Sequence, residues 1–394
     1  MFNFVYNTPT KIYFGEDSEG QIGEIVKSYG YKKILIHYGG LSAVRSGLIA
    51  KITNAFDNLD IAQVSLGGVV PNPRVSLVYK GIEICKREGV DCIIAVGGGS
   101  VIDSAKAIGY GVASGGDVWD FFNFKRKPSG CLPIGVVLTI AAAGSEMSNS
   151  CVITNEDGLI KRGCTSELGR PKFALMNPKL TMTLPSYQTF CGCTDILMHT
   201  FERYFTSGGN MDITDGIAEA LMRNVIEKSL ILIDDPNNYE ARADIMWAGS
   251  LSHNGLTGCG NNGGDFATHR MEHELSGLYD VAHGAGLSAL WGSWARYVYR
   301  DCLDRFYKFA VNVMNISPAD DRESVALQGI CAMEDFFRKI GMPTNIKELL
   351  GKNASDEDIL LMAKKCGITT KGKTGSAKIL YEEDMLNIFK LANI

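Results

Sequence analysis

In the first half of the chain, short apolar runs rich in β-forming residues alternate with amphipathic helical patterns. The run KKILIHYGG, which begins at Lys32, and the run DCIIAVGGGS, which begins at Asp91, both end in glycines, and a helical pattern follows each of them. Repetition of strand, glycine turn and helix is typical of a parallel sheet whose strands are joined by crossover helices. We therefore predict that the first half forms an α/β domain.

The pattern changes near Pro185. From there onward the chain continues with helical periodicity, beginning with LPSYQTFCGCTDILMHTFERYF, and strand-like alternation is nearly absent. A chain of 394 residues is long enough for two domains. We therefore predict an α/β domain over residues 1–185 and an all-helical domain over residues 186–394.

The composition narrows the class of protein. Hydrophobic residues make up 45% of the chain and charged residues 21%, as in an ordinary soluble enzyme. The net charge of −5 provides no general attraction to nucleic acids or anionic membranes, so neither is an expected partner. Without a signal-peptide pattern or a long apolar span, we expect a cytoplasmic protein. Only Cys191 and Cys193 of the 11 cysteines are close in sequence, which indicates reduced thiols rather than a disulfide framework.

The first candidate site is a run of glycines between a buried strand and a helix. It consists of Gly97, Gly98, Gly99 and Ser100, and Asp103 follows in the first turn of the helix. Glycines at such a place let the backbone approach a pyrophosphate, and the free N–H groups of the helix stabilise its charge. The spacing differs from the usual GxGxxG motif, so an ordinary tight turn remains an alternative explanation.

A second glycine turn occurs one strand earlier, at Gly39 and Gly40. In many dinucleotide sites a carboxylate at the end of such a strand binds the ribose 2′-hydroxyl and repels a 2′-phosphate. No acidic residue lies near this turn, whereas Ser42 and Arg45 can contact a phosphate. The sequence therefore favours NADP over NAD; the alternative is a simple turn with a solvated arginine.

A candidate metal site is indicated by the distribution of histidines. Four of the six histidines fall in two segments, where His199 follows Asp195 by four residues and His269, His273 and His283 lie close together. Residues four apart share one face of a helix, so such pairs can bind one ion. Spacing alone does not rank these five candidates, and unrelated histidines of a helical core are the alternative.

The chemistry of these residues limits the choice of metal and reaction. Imidazoles with one carboxylate suit a divalent ion such as Fe²⁺ or Zn²⁺. The net positive charge of such a site lowers the pKa of a bound alcohol or polarises a carbonyl, as hydride transfer requires. The order of Glu272 and His273 differs from the HExxH motif, so we do not expect a protease.

Several motifs, in this order, give the chain a specific resemblance. It resembles the iron-containing (group III) alcohol dehydrogenases, and within them the NADPH-dependent butanol dehydrogenase type. The motifs are PTKIYFG from Pro9, PNPRV from Pro71, AVGGGSVIDSAKAI from Ala95, VLTIAAAGSE from Val137, NPKLTMTLP from Asn177, TDILMH from Thr194, and ATHRMEHELSGLYDVAHGAGLS from Ala267.

The resemblance implies an architecture and a set of metal ligands. The family has an N-terminal dinucleotide-binding α/β domain and a C-terminal helical domain, as dehydroquinate synthase does, with the active site in the cleft between them. The ligands implied are Asp195, His199, His269 and His283. His273 matches a histidine that is not a ligand but contacts the nicotinamide side and assists proton movement.

The resemblance also implies cofactor contacts. Gly97, Gly98, Gly99, Ser100 and Asp103 match the pyrophosphate turn of the family. The other matching positions are Thr139, Asn149 and Lys161 near the cofactor, and Gly39, Gly40 and Ser42 at the 2′-phosphate.

One position departs from the family pattern. Ala143 stands where the family often has threonine, so one hydrogen bond to the cofactor is not expected here.

The resemblance also implies that the protein assembles as a homodimer.

The sequence therefore predicts an NADP(H)-linked, metal-dependent alcohol dehydrogenase and aldehyde reductase for substrates such as butanol and butanal. Two alternatives come from other classes of protein. A dehydroquinate synthase-like lyase needs a basic cluster for its substrate, and few basic residues besides Arg270 lie near the ligand segments. A metal-dependent hydrolase without a nucleotide cofactor is the other.

Overall fold

The chain folds into two compact units. The computed structural model describes residues 1–209 and 211–394. Contacts between Cα atoms define an α/β unit, Asn7–Leu184, and a helical unit, which consists of Met1–Tyr6 together with Pro185–Ile394.

The α/β unit is built on a parallel sheet. Its strands are β1 (Lys11–Phe14), β2 (Lys33–Tyr38), β3 (Ala62–Leu66), β4 (Cys92–Gly97), β5 (Ile134–Leu138), β6 (Ser150–Asn155), β7 (Ile160–Thr165) and β8 (Phe173–Met176). Six of them form one sheet in the order β1-β8-β5-β4-β2-β3, and every neighbouring pair is parallel. Every residue of β4 is buried, as expected for a central parallel strand covered by helices. The predicted parallel sheet is confirmed.

Helices connect the strands of this unit. They are α1 (Ile22–Ser28), α2 (Ser42–Arg45), α3 (Leu48–Asp57), α4 (Val75–Glu88), α5 (Gly99–Ser114) and α6 (Trp119–Phe122). The helix α3 buries Leu48, Ile52 and Phe56, which follow one another at intervals of four residues and therefore share one face. This face packs into the same core as the buried side of β2 and β4.

An antiparallel hairpin of β6 and β7 accompanies the parallel sheet, and the sequence pattern did not predict it. The two strands pair in register, with Cys151 opposite Cys164. Each strand has six residues with polar side chains at several positions, so the apolar alternation that predicts a strand is weak. The Asp157-Gly158 pair between the strands is the turn signal that indicates a hairpin here.

The regular structure of the helical unit consists of helices. They are α7 (Ser186–Tyr204), α8 (Asp212–Asp234), α9 (Tyr239–His253), α10 (Ala267–Tyr279), α11 (His283–Val298), α12 (Leu303–Asn312), α13 (Arg322–Lys339), α14 (Ile346–Leu350), α15 (Asp356–Thr369) and α16 (Glu382–Ala392). In the described part of this unit, the β structure is limited to an isolated bridge between Thr374 and Leu380. The predicted helical class of this region is therefore confirmed. None of the described helices has both the length and the apolar character needed to cross a membrane.

The first six residues pack with the helical unit rather than with the α/β unit to which the sequence pattern assigned them. The Phe2 N–H donates to the Gly260 carbonyl over 2.9 Å. Several apolar side chains of Met1–Tyr6 nevertheless remain exposed. The Met1 and Phe2 side chains lie beside Gly260 and Gly209, so the attachment combines a backbone hydrogen bond with contacts at glycines, neither of which hydrophobic periodicity reports.

Three helices of the helical unit carry the predicted metal ligands. The helix α11 packs against both α7 and α10. Phe266 precedes α10 and Asp280 follows it, and both have left-handed backbones, with φ of 56° and 52°. Such conformations are uncommon for residues other than glycine and cost energy, so they are maintained by the surrounding structure. They determine where α10 begins and where the chain turns into α11.

Candidate functional site

The predicted ligands converge on one carboxylate oxygen. On α7, the Oδ1 atom of Asp195 lies 3.1 Å from His199 Nδ1. The same oxygen lies 3.6 Å from Nε2 of His269 on α10 and 3.8 Å from Nε2 of His283 at the start of α11. Three separate helices thus direct imidazole nitrogens at a single acidic group.

The polar atoms at this point fit a divalent metal. Asp195 Oδ1, His199 Nδ1 and His269 Nε2 are buried, and among the described residues none of these atoms has a hydrogen-bond partner. Leaving a buried polar atom unsatisfied costs roughly 1–3 kcal/mol. Ligand atoms about 2.1 Å from a tetrahedral ion lie about 3.4 Å apart, which falls within the range of separations measured here. We infer that the group is built to hold a cation.

Two further carboxylates orient the histidines, and the sequence pattern did not predict this role for them. His269 Nδ1 lies 3.1 Å from Glu202 Oε1, and the His269 backbone N–H donates to the same oxygen over 3.0 Å. His283 Nδ1 contacts Glu272 Oε2. When Nδ1 donates to a carboxylate, Nε2 presents its lone pair to a metal, and such partners also raise the basicity of the ligand.

The positions of these acids offer a signal that could have found them. Glu202 lies two helical turns after Asp195 on α7, and Glu272 lies one turn after His269 on α10. Both are almost fully buried, which is rare for glutamate without a partner. An acid on the ligand face of a ligand-bearing helix is therefore a candidate for orienting a histidine.

Burial and neighbouring charge determine the protonation of the site. Burial lowers the pKa of His199 to about 4. Burial also disfavours the charged form of His269, but the carboxylates of Asp195 and Glu202 outweigh this effect and raise its pKa to about 9. For Asp195, burial is outweighed by the facing imidazoles, which hold its pKa well below the usual range. Asp195 and His199 are thus in metal-binding forms, and a metal would displace a proton from His269.

His273 is placed beside the ligand group but is not one of its innermost members. Its ring centroid lies 5.9 Å from that of His283, and the residue is half-buried. Potential ligand atoms of His273, His283 and Glu272 lie within 4.8 Å of one another. The side chain of His283 is itself 27% exposed, so these two histidines form the more open side of the group.

A further residue of the site, His253, lay outside the sequence prediction. It ends α9, and its ring centroid is 3.9 Å from that of His199. Burial and then the charge of His199 hold the pKa of His253 well below its usual value. No spacing rule links His253 to the ligand segments, so its position depends on how α9 packs against α7.

A glycine allows α11 to approach the ligand helix. A Cβ atom on Gly284 would lie 2.1 Å from the carbonyl oxygen of Cys191, a distance that no side chain can occupy. Because Gly284 directly follows His283, its small size lets that ligand sit against α7. Cys191 itself contacts the sulfur of Met342 over 3.8 Å.

In the α/β unit, the two predicted glycine turns follow neighbouring strands. β2 and β4 pair in parallel, with Tyr38 opposite Val96, so Gly39 and the run that begins at Gly97 leave the sheet at the same edge. In open α/β sheets, ligands bind at the carboxyl ends of the strands. Gly40 and Ser42 are exposed at this edge.

The turn at the end of β4 has no room for side chains. A Cβ on Gly97 would lie 2.4 Å from Val101 Cγ2, and a Cβ on Gly98 would lie 2.8 Å from Ile140 Cβ. Gly98 precedes α5, and Gly99 and Ser100 form its first turn, where backbone N–H groups are not used within the helix. The arrangement can bind a phosphate through the backbone.

The remaining predicted cofactor residues have defined surroundings. The Thr139 N–H donates to the Gly97 carbonyl over 3.1 Å, so Thr139 lies directly beside the glycine turn. The Asn149 amide donates to Glu167 over 2.5 Å. Lys161 on β7 is 4% exposed. The Asp103 carboxylate accepts hydrogen bonds from the Ser145 hydroxyl and the Val152 N–H, so it supports neighbouring backbone.

Two family models together match almost the entire chain. The model described as iron-containing alcohol dehydrogenase matches residues 9–178. The model for the C-terminal part of the Fe-containing alcohol dehydrogenase family matches residues 189–393.

Individual proteins show the same similarity. The NADH-dependent butanol dehydrogenase A of Clostridium acetobutylicum is 40% identical over 392 residues, which cover 99% of both chains. The NADPH-dependent aldehyde reductase of Escherichia coli is 31% identical over 380 residues, which cover 95% of this chain and 96% of that protein. A crystal structure described as NADH-dependent butanol dehydrogenase A of Thermotoga maritima superposes with a TM-score of 0.96 at 37% identity, covering 100% of this chain and 99% of that one.

Proposed function

Because the chain belongs to the iron-containing alcohol dehydrogenase family, we propose that it interconverts short-chain primary alcohols and aldehydes, such as butanol and butanal, with NADP(H). Membership of this family implies an alcohol dehydrogenase of the butanol dehydrogenase type, with a nicotinamide cofactor and iron. The observation that carries the proposal is the convergence of three imidazole nitrogens on Asp195 Oδ1.

In this proposal the helical unit holds the metal. Asp195, His199, His269 and His283 are the ligands, with Fe²⁺ as the expected ion and Zn²⁺ as the alternative. A metal held by these four residues would polarise the substrate oxygen, and a bound nicotinamide would supply or accept the hydride. The chain's own contribution is orientation, because the Glu202 carboxylate keeps the proton of His269 on Nδ1 and leaves Nε2 free to bind.

We assign proton transfer to His273. In the reductive direction the protonated imidazole of His273 gives its proton to the product oxygen, directly or through an ordered water, and becomes neutral. Its half-buried position beside His283 leaves it accessible to solvent, from which it regains a proton. In the oxidative direction the same imidazole accepts the proton of the alcohol.

The α/β unit binds the dinucleotide in this proposal. The pyrophosphate contacts the backbone of Gly97–Ser100, where helix α5 begins. Thr139 lies beside this turn, and Asn149 and Lys161 complete the proposed cofactor contacts. Asp103 acts indirectly, through the backbone that it supports.

We propose NADP as the preferred cofactor because of the turn after β2. The segment 32–51 contains no aspartate or glutamate, so nothing in it repels a 2′-phosphate. Ser42 and Arg45 are exposed there and can contact a phosphate. The names of the relatives include both NADH-dependent and NADPH-dependent enzymes, so a direct comparison of the two cofactors tests the proposal. We expect a higher kcat/KM with NADPH than with NADH, and a Ser42→Asp variant should reverse the order.

The proposed activity is tested with butanal and NADPH. We expect absorbance at 340 nm to fall with the native metal, to stay constant after chelation, and to fall again after Fe²⁺ or Zn²⁺ is restored. Full turnover without metal would disprove the metal-dependent reaction. A lyase would consume no net NADPH, and a hydrolase without cofactor would show no change in thermal stability on addition of NADPH.

We further propose that the protein is a cytoplasmic homodimer. Light scattering would measure the mass of the assembly in solution.

A further inference from the structure

Helix α5 of the α/β unit carries a buried lysine that the proposed chemistry does not use. Lys106 has no exposed surface. Its ammonium nitrogen, Nζ, donates to the carbonyl oxygens of Ser145, Ser148 and Ser150 over 2.7, 3.0 and 2.8 Å. It also lies 3.0 and 3.3 Å from the hydroxyls of Ser145 and Ser148. Five oxygens from one short stretch of backbone thus surround a single cation.

A buried ammonium is unfavourable unless oxygens surround it, so the burial of Lys106 makes its hydrogen bonds to residues 145–150 important for both partners. Burial lowers the pKa of Lys106, while the nearby carboxylates of Asp103 and Glu146 act in the opposite direction. An ammonium has only three protons, so the five oxygens must share them. Removing one partner of a buried, hydrogen-bonded charge leaves the others unsatisfied, which is costly. The backbone of 145–150 therefore depends on this cation for its conformation.

A second attachment lies one turn away on the same helix. The Asp103 Oδ1 atom accepts a hydrogen bond from the Ser145 hydroxyl over 2.6 Å, and Oδ2 accepts one from the Val152 N–H over 2.8 Å. Residues three apart on a helix share a face, so Asp103 and Lys106 hold the same segment. The segment is thus attached to α5 through both a cation and an anion.

The segment 139–149 connects this attachment to the glycine turn. At one end, the Thr139 N–H donates to the Gly97 carbonyl. In its middle, Ala143 passes so near that a Cβ on Gly99 would lie 3.1 Å from the Ala143 Cβ. The segment has no helix or strand of its own, so its shape depends on such contacts. Besides Lys106, the Arg170 guanidinium donates to the Met147 carbonyl over 2.5 Å, and the Ser166 N–H donates to the Asn149 carbonyl over 2.8 Å.

We propose that Lys106 is a positioning residue for the dinucleotide, because it holds the segment 139–149 against the glycine turn Gly97–Gly99. The proposal rests on the assignment of that turn as the cofactor site. Lys106 does not touch the cofactor, since it is fully buried, and it acts through the segment that carries Thr139 and Asn149. When the lysine side chain is removed, this segment can adopt other conformations. The apparent affinity for the dinucleotide then falls in proportion to the fraction of time that the segment spends in the binding conformation.

The test compares NADPH binding by the wild-type holoenzyme, by Lys106→Met and by Lys80→Met. Lys80 is an exposed lysine on α4, so its variant controls for the loss of a positive charge. If the segment is ordered for about a tenth of the time in Lys106→Met, the dissociation constant rises about tenfold. We expect no change for Lys80→Met, and unchanged metal content in all three proteins.

A rescue experiment separates positioning from a general loss of structure. In Lys106→Ala, ethylammonium can replace the missing end of the side chain, and we expect it to restore NADPH affinity. Sodium chloride at the same ionic strength should not. Equal effects of the two salts, or wild-type affinity in folded Lys106→Met, would overturn the proposal.

If the Lys106 variants do not fold, the Ser145→Ala variant tests the proposal instead. It removes one hydroxyl that contacts both Lys106 and Asp103 and leaves the buried cation in place. We expect weaker NADPH binding at unchanged metal content, and wild-type affinity would count against the proposal. Failure of the wild-type protein to bind NADPH or NADH would instead contradict the assignment of the cofactor site itself.

Discussion

The metal centre of the helical unit and the glycine turns of the α/β unit are built from different materials. The centre consists of side chains, with Asp195 and three histidines arranged around one point and two glutamates behind them. The turns consist mainly of backbone, and their most important property is the absence of side chains. A site of the first kind fails when a functional group is removed, and one of the second kind fails when atoms are added.

The largest expected effect comes from Asp195→Ala, which removes the carboxylate at the centre of the metal group. A metal that acts as a Lewis acid contributes several kcal/mol, so we expect kcat/KM to fall by about a thousandfold or more. Metal content should fall in parallel, while NADPH affinity should remain near that of the wild type. The exposed Asp234 on α8 provides the control variant Asp234→Ala. Normal activity with a full complement of metal in Asp195→Ala would refute the assignment of the centre.

A smaller effect is expected from Glu202→Gln, which keeps a hydrogen-bond acceptor for His269 but removes its charge. Replacement of such an orienting partner typically costs about 10–100-fold in metal affinity. The measurement is a competition titration against a chelator of known affinity, with the exposed Glu240→Gln as the matched control. Identical metal affinities for the two variants would show that Glu202 has only a structural role.

These two residues also illustrate what the sequence revealed about the metal centre. The spacing of Asp195 and His199 indicated a shared helical face, and α7 provides it. The same reasoning left five candidates equal, and the family resemblance was needed to set His273 apart. Glu202 and His253 were not predicted, because their roles arise from contacts between helices distant in sequence.

Gly98→Ala tests the opposite kind of site. Gly98 has an extended backbone that any residue can adopt, so the variant adds only a methyl group where Ile140 lies in contact. A displacement of about 1 Å can cost about a hundredfold in a well-positioned site, and we expect NADPH affinity to fall about tenfold or more. Metal content should not change. Gly216→Ala on α8, where a Cβ meets nothing within 4 Å, is the control.

In the α/β unit too, the sequence predicted features formed by neighbouring residues and missed features that depend on residues distant in sequence. Repeated strand–turn–helix patterns predicted the parallel sheet, because each unit of the pattern is contained in one stretch of sequence. The hairpin of β6 and β7 was missed, and so was the dependence of the segment 145–150 on Lys106. A lysine in a helical pattern is usually exposed, and only the folded chain reveals the oxygens around it.

The smallest expected effect concerns a histidine that serves the fold. His37 on β2 is fully buried, with Nδ1 2.8 Å from the Leu66 carbonyl and Nε2 2.9 Å from the Ser104 hydroxyl. Burial lowers its pKa to about 4, although the contact with Leu66 acts in the opposite direction. The unfolded chain, with an ordinary pKa near 6.5, therefore takes up a proton that the folded chain refuses.

The sign of the pH dependence follows from this difference. The contribution of His37 to stability is fully present above about pH 6.5 and is lost as the pH falls toward 4, by at most about 1.4 kcal/mol per pH unit. We expect the urea midpoint of the wild type to fall more steeply over this range than that of His37→Gln, in which the titrating ring is replaced by a neutral amide. Parallel curves would show that His37 is not held neutral by burial. A steeper wild-type curve would sharpen the contrast with His269, a buried histidine whose neighbouring carboxylates favour the opposite protonation state.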